Sequence, residues 1–137
     1  MTDIEIAKQL FLDGLNLIQN KEFEQAEKKF LKSLELIPDR ESVLNNLSSA
    51  QIKLGKYEDA KKSATRVIEL NKNNAVAWMN LGVIEQEFSN FETSVNCFNK
   101  AIETDPLYFH AYNYKGILLC EFGKYQEAIN RDMTAEN

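Results

Sequence analysis

The sequence predicts an all-α protein, a solenoid of antiparallel helical hairpins, and three observations support this class. First, one pattern of aromatic and small residues returns every 34 positions, which is typical of stacked repeats. Second, the apolar residues inside each repeat follow helical spacing. Third, all five glycines and both prolines fall at shared positions of the repeat. Chance rarely aligns seven conformationally special residues in this way.

The boundaries of the repeat follow from aligning Pro38 with Pro106. The units are then 7–40, 41–74, 75–108 and a partial 109–137. Residues 1–6 extend the first helix at its N-terminus. A chain of 137 residues fits a single domain, 1–137. We number positions within a unit from its first residue, so both prolines occupy position thirty-two.

The first helix of a unit is clearest in "AWMNLGVIEQEF", where Trp78, Leu81 and Gly82 recur at i, i+3 and i+4. Position eight of this helix is small in every unit: Gly14, Ser48, Gly82 and Gly116. A turn follows at position fifteen. Gly55 and Gly123 stand there, just past the helix end, where glycine adopts a left-handed conformation at little cost.

The second helix of a unit begins at position seventeen with an aromatic residue that we expect to plug the elbow of the hairpin. These aromatics are Phe23, Tyr57, Phe91 and Tyr125. Three residues later stands a small residue that faces the first helix, namely Ala26, Ala60, Ser94 or Ala128. Small side chains at positions eight and twenty allow the two helices to approach closely. Pro38 and Pro106 then end the second helix.

The fourth unit starts in register but loses the pattern. Position twenty-four, otherwise apolar, is Asp132, and no capping helix follows. We therefore expect apolar side chains at this end to be partly uncovered, namely Ile117, Leu118, Phe122 and Ile129. From this uncapped unit we predict a homo-oligomer, a dimer or higher species, with residues 124–137 frayed or docked on a neighbour.

Composition argues against several function classes. The net charge of −5 and the pI near 5.0 disfavour a nucleic-acid binder. No apolar run is long enough for a membrane helix, and no signal peptide is visible, which favours the cytoplasm. Cys97 and Cys120 lack a metal or redox spacing, and His110 has no nucleophile near it. We therefore predict no catalytic residues, no metal and no cofactor, and hence a protein that is not an enzyme.

The third unit resembles the tetratricopeptide repeat family at Trp78, Leu81, Gly82, Phe98, Ala101 and Pro106. The resemblance covers nearly the whole chain and implies a right-handed α-solenoid. Four residues depart from the family pattern: Asp13, Gln51, Lys72 and Glu85. We interpret these departures as local weakening of the stack.

The resemblance also implies that the first helices line a concave groove, into which positions two, five, six, nine and twelve point. The predicted partner groove comprises Phe11, Leu12, Leu15, Asn45, Asn46, Ser49, Met79, Asn80, Val83, Asn113, Tyr114 and Ile117. The first unit is apolar at four of these five positions, so another helix or a partner must cover it. Asn46 and Asn80 are expected to hold an extended backbone; alternatively, they are two of many asparagines without a binding role.

One function of the family is testable residue by residue. Members that bind the C-terminal carboxylates of heat-shock chaperones carry lysine, arginine and asparagine at five groove positions. This chain carries Phe11, Leu15, Asn46, Val76 and Asn80 there, so one of the five matches. Without cations to hold a carboxylate, chaperone-tail binding is not expected.

The sequence therefore predicts a non-enzymatic adaptor that binds a peptide or helix of another protein in its groove. Two alternatives stay open. In the first, the chain is a module of a larger protein, such as an enzyme of the glycosyltransferase class. In the second, it is a self-associating scaffold. The identity of the partner does not follow from the sequence.

Overall fold

The computed structural model describes the backbone of residues 1–135 and the side chains of residues 1–124, 126 and 127. Within that part the chain forms seven helices and no strand. The helices are α1 (Asp3–Gln19), α2 (Phe23–Leu36), α3 (Glu41–Lys53), α4 (Tyr57–Leu70), α5 (Ala75–Glu87), α6 (Phe91–Thr104) and α7 (Phe109–Ala135). None of those described helices combines the length and apolar character needed to span a bilayer. The predicted all-α class is confirmed.

The first six helices form three hairpins, α1–α2, α3–α4 and α5–α6, and each hairpin packs on the next. The first helices α1, α3, α5 and α7 contact one another in sequence. Among the described residues, the second helices α2, α4 and α6 make no such contacts with each other. A stack whose first helices touch while its second helices splay apart is curved, with the first helices on the concave side.

The three hairpin turns share one backbone geometry. Position fifteen is left-handed in each, with φ of 60° at Lys21, 75° at Gly55 and 61° at Ser89. The following N–H donates to the carbonyl oxygen five residues earlier, as in Glu22 to Leu17 at 2.8 Å. This bond satisfies a helix-end carbonyl that otherwise lacks a partner. The turn predicted at Gly55 is confirmed, and the same turn forms at a lysine and a serine.

Each hairpin closes by matching a small residue at position eight to the residue at position twenty-four. A Cβ atom added to Gly14 would lie 2.4 Å from the ring of Phe30, and one added to Gly82 would lie 2.5 Å from the ring of Phe98. The second unit reverses the sizes, with Ser48 opposite Ala64. The Ser48 hydroxyl donates to the carbonyl of Ala60 at 2.9 Å.

Phe23, Tyr57 and Phe91 begin the second helices of the first three units, as predicted, whereas Tyr125 lies within the continuous α7. Two of the three rings also contact the following unit. Tyr57 packs edge-on against Phe88 at 6.3 Å between ring centroids. Phe91 packs against Phe122 at 5.6 Å. In both pairs the partner belongs to the following unit, so these ring contacts join adjacent hairpins.

The turn predicted at Gly123 is wrong, because α7 continues through it as one helix of 27 residues. The other units close because the residue at position twenty-four fills the space beside the first helix. In the fourth unit Asp132 stands at that position, so closing the hairpin would gain little packing. Continuing the helix through Gly123 costs only about 1 kcal/mol, because glycine is tolerated inside a helix at that cost. Residues 124–135 therefore continue α7 as helix. Predictions for the side chains of Tyr125, Ala128, Ile129 and Asp132, and for residues 136–137, lie outside the described residues.

The predicted exposure at this end is partly confirmed. Ile117 is 56% exposed, whereas Phe122 is half-buried against Phe91. The prediction for Leu118 is wrong, because this side chain is fully buried. Leu118 occupies position ten, where Ala50 and Ile84 are also buried. Since α7 packs against α5 and α6, this position faces the preceding hairpin and needs no following one.

Candidate functional site

The concave face begins with the apolar side chains of α1. Phe11 and Leu15 pack against the core that Phe30, Val43 and Leu47 form with their neighbours, and the rings of Phe11 and Phe30 lie 6.0 Å apart. Helices α2 and α3 therefore cover part of the apolar surface of α1, which the sequence predicted to be covered by a helix or a partner. Leu12 is different, because it remains 42% exposed.

The middle of the groove is polar, but much of its hydrogen-bonding capacity is already used. Asn80 is only 2% exposed, and its amide donates to the Asn45 carbonyl at 3.4 Å and to the Ser49 hydroxyl at 3.5 Å. The Asn45 amide donates to Asn74 at 3.1 Å. These bonds tie α3 to α5. The burial of Asn80 therefore goes against its expected contact with a peptide.

Asn46 occupies the same unit position as Asn80 but has a different environment. It is half-buried, and its amide nitrogen donates to the Ser42 carbonyl of its own helix at 2.8 Å. An asparagine side chain also carries a carbonyl oxygen with two acceptor sites. Of the asparagines at position six, Asn46 is the better placed to accept a hydrogen bond from a ligand.

The far end of the groove offers an apolar surface on α5 and α7. Met79 and Val83 are half-buried, while Tyr114 is 37% exposed. The ring of Tyr114 stacks on Phe98 at 6.1 Å with an interplanar angle of 9°, which fixes its orientation. Asn113 and Ile117 stand exposed beside it. This end presents flat, oriented apolar groups with an amide among them.

The concave face carries almost no charge. Lys8 is the only lysine, arginine, aspartate or glutamate at the five groove positions of the four units. The ion pairs lie elsewhere, as in Arg66, which donates to Asp39 and Glu69 at 2.9 Å. The Arg66 guanidinium lowers the pKa of the exposed Asp39 carboxyl. A concavity of about 610 Å³ beside Arg66 is lined mostly by such charged groups.

Polar contacts between units were not anticipated from the sequence. Gln51 donates to Glu27 at 3.2 Å, and Lys61 pairs with Glu85 at 2.8 Å, although both acids are buried. The interpretation of Gln51 and Glu85 as weakening the stack is wrong, because both residues join adjacent hairpins. The available signal was the complementary residue at position twenty-one of the preceding unit.

Glu85 is held in its charged form. Burial opposes this, but hydrogen bonds from Lys61 and from Asn90, at 2.8 and 2.7 Å, outweigh it and keep the pKa of the carboxyl below its ordinary value. The charge therefore depends on both partners, one on α4 and one at the start of α6.

Comparison with known proteins agrees with this architecture. Sequence profiles described as tetratricopeptide repeat match residues 41–74, 75–106 and 97–130. No curated protein sequence matches the chain at a significant level.

Solved structures of low sequence identity share the fold. The TPR domain of Arabidopsis OM64 superposes with a TM-score of 0.80 at 17% identity, over 85% of this chain and 96% of that one. The first TPR of Spaghetti (RPAP3), bound to the HSP90 peptide SRMEEVD, gives 0.80 at 19%, over 89% and 97%. The Thermobaculum terrenum O-GlcNAc transferase, solved as a mutant, gives 0.82 at 21%, over 87% of this chain but 23% of that one.

Proposed function

We propose that this chain, which belongs to the tetratricopeptide repeat family, is a non-enzymatic adaptor. Its concave face would bind a segment of another protein. The observation that carries the proposal is the exposure of apolar side chains on a face with almost no charge. Leu12 is 42% exposed, Tyr114 37% and Ile117 56%. Burying such groups against a ligand is favourable in proportion to the area removed from water.

The chemistry of the face favours an uncharged, partly apolar segment as its ligand. Asn46 and Asn113 offer amides for an extended backbone, and Met79 adapts to irregular side chains. We place the interaction in the cytoplasm, with neither nucleic acid nor membrane as the partner. The structure of Spaghetti (RPAP3) holds an acidic peptide. Here Phe11, Val76 and Asn80 stand where carboxylate-binding members of the family carry lysine or arginine, so we propose that acidic tails are not ligands.

A matched pair of leucines tests the groove. Leu12 and Leu31 are 42% and 44% exposed, but Leu12 lies on α1 in the groove and Leu31 on α2. Peptides selected from a random phage-displayed library are titrated into each variant and followed by fluorescence anisotropy. Leu12→Arg is expected to weaken binding at least tenfold, and Leu31→Arg to leave it unchanged. Equal effects of both variants would place the site outside the groove.

The exclusion of acidic tails has its own test. The peptide SRMEEVD, named in the related structure, is titrated into the 15N-labelled protein. We expect no saturable shifts in the groove amides at millimolar peptide. Saturable shifts centred on α1, α3 and α5 would overturn the exclusion while leaving the groove as the binding site.

A second candidate is a module of a larger protein. The related O-GlcNAc transferase structure supports it, because the aligned region is 23% of that chain. An antibody against this chain, applied to cells that express it naturally, is the measurement. A band well above 15.8 kDa under denaturing conditions supports the module, and a band at that mass counts against it.

A third candidate is self-association through α7, and it is favoured by the apolar exposure of that helix. Tyr112 is 45% exposed and Ile117 56%. Light scattering after size exclusion, over a hundredfold range of concentration, measures the mass. A rise above 15.8 kDa with concentration supports the candidate, and a constant mass contradicts it.

A further inference from the structure

The face of α7 that a second helix covers in the other units lies open. A Cβ atom added to Gly116 would meet no atom within 4 Å, whereas the equivalent atoms at Gly14 and Gly82 would strike aromatic rings of the second helix. A concavity of about 470 Å³ occupies this place. It is lined by Tyr112, Asn113, Gly116, Ile117, Cys120, Glu121 and Lys124.

The segment whose sequence fits this face is on the same helix but out of reach. In closed hairpins position eight meets position twenty, as in the bond from Ser94 to the Gly82 carbonyl at 2.6 Å. The equivalent residues of the fourth unit are Gly116 and Ala128. Both belong to one continuous helix, which separates them by about 18 Å at 1.5 Å per residue. Residues 124–135 therefore cannot cover the face of their own copy.

We propose that the protein forms a two-fold dimer in which residues 124–135 of each copy cover the open α7 face of the other. The proposal rests on the proposed self-association and adds its geometry. The hairpin register is kept, but between copies: residue 116 of one chain meets residue 128 of its partner, and the reverse. Such reciprocal exchange of an identical element is a low-cost route to a closed dimer.

The register fixes where the two helices cross. The midpoint between residues 116 and 128 is residue 122, so the two-fold axis passes beside it. Gly123 is next to this point, and its lack of a side chain allows the two helices to approach at the short end of the usual 8–10 Å range. The glycine that fails to form a turn within one copy thus lies at the crossing of two copies.

A native cysteine reports on this geometry. Cys120 is exposed and two residues from the predicted axis, so it should lie about 10–12 Å from the Cys120 of the second copy, given the rise and spacing of packed helices. Cys97 is buried, and burial raises the pKa of its thiol to about 11, so it stays unreactive at neutral pH. A short bis-maleimide should therefore join two chains through Cys120.

The experiment combines mass and cross-linking. We expect the mass to rise from 15.8 kDa to twice that value and no further, with a Cys120-linked dimer in peptide mapping. Gly116→Leu, which fills open space and should fold, is expected to remain monomeric and unlinked; circular dichroism checks its fold. Gln126→Leu adds the same side chain at position eighteen, where Glu24, Glu58 and Glu92 are all exposed, and should dimerise normally.

The possible failures are distinguishable. A constant monomeric mass overturns both self-association and the exchanged helix. A mass that grows beyond two copies, or a dimer without the Cys120 link, overturns the exchanged helix alone and indicates a head-to-tail or different contact. Dimerisation of Gly116→Leu with unchanged affinity also overturns the exchanged geometry.

Discussion

Gly82 shows how one side chain controls the closure of a hairpin. An alanine Cβ there would lie 2.5 Å from the ring of Phe98, which is fully buried. We expect Gly82→Ala to lower the free energy of unfolding by about 1–3 kcal/mol, measured by urea denaturation. Gly116→Ala, at the same unit position but with open space around it, should stabilise the fold slightly. The same destabilisation in both variants would contradict the steric explanation.

A Phe98→Ala variant provides a second check on the steric explanation for Gly82. In a Phe98→Ala protein the obstructing ring is gone, which recreates the small pair that Ser48 and Ala64 form in the second unit. Adding Gly82→Ala to that background should be neutral or stabilising by up to about 1 kcal/mol, because alanine favours the helix over glycine. A persistent loss would locate the cost in the backbone rather than in the ring.

Glu85 links the stack to pH. Its pKa is lowered in the folded protein from an ordinary value of 4.5, so the stability it contributes is present above pH 4.5 and is lost as the pH falls through the folded value. We expect Glu85→Gln to cost about 1–3 kcal/mol at pH 7 and to unfold with a shallower loss of stability between pH 5 and 3. Urea titrations at each pH measure this. Parallel pH curves for both proteins would refute it.

Matched lysine variants separate the pair from general charge effects. Lys61 bonds Glu85, and Lys62 is the exposed neighbour on the same helix. Lys61→Met should be less stable than Lys62→Met at neutral pH, because it leaves Glu85 buried with fewer donors. Both variants change the net charge equally, so a difference between them belongs to the contact.

At the scale of the element, Gly123 decides between a helix and a turn. If α7 is continuous, Gly123→Ala should stabilise the protein by about 1 kcal/mol, because glycine is a poor residue inside a helix. If the fourth unit closes as the sequence predicted, the residue needs a left-handed conformation and the variant loses stability. The sign in urea denaturation gives the answer, and Gly55→Ala, at a residue whose φ is 75°, is the destabilising control.

The sequence pattern predicted the helices and hairpins well, because their determinants lie within one unit. The match of Gly14 to Phe30 and of Gly82 to Phe98 is visible in the repeat itself. What it missed depends on relations between units. The amide of Asn80 donates to the preceding first helix, and Glu85 pairs with Lys61 of the preceding unit. Similar residues at one unit position indicate which positions are in contact. The chemistry of that contact, however, differs from one pair of adjacent hairpins to the next.

The continuous α7 has the same origin. Its first half carries the residues of a first helix, and Tyr125 and Ala128 stand in the sequence where a second helix begins. The pattern reports that these residues suit a hairpin. Whether the hairpin closes depends on the total packing available, which Asp132 reduces at position twenty-four. The same argument applies to the groove. Its place follows from the position of residues in the repeat, whereas the hydrogen-bonding capacity left on its asparagines depends on the neighbouring unit.

At the scale of the whole molecule, stability should vary along the stack. In a repeat array each unit contacts its neighbours only, so local unfolding begins at the less supported end. α3 lies between two hairpins and has six buried residues, whereas the described contacts of α7 are with α5 and α6. Among the described residues, α7 therefore contacts only the hairpin that precedes it.

Native-state hydrogen exchange tests the gradient in dilute protein. We expect amides of α3 to exchange at least about a hundredfold more slowly than those of residues 124–135, a difference of about 2.8 kcal/mol in opening free energy. At high concentration the difference should shrink, because the exchanged helix protects residues 124–135 through the second copy. Gly116→Leu, which blocks that docking, should show the dilute pattern at every concentration. Uniform protection along all helices in dilute protein would mean that the stack unfolds as one cooperative unit instead.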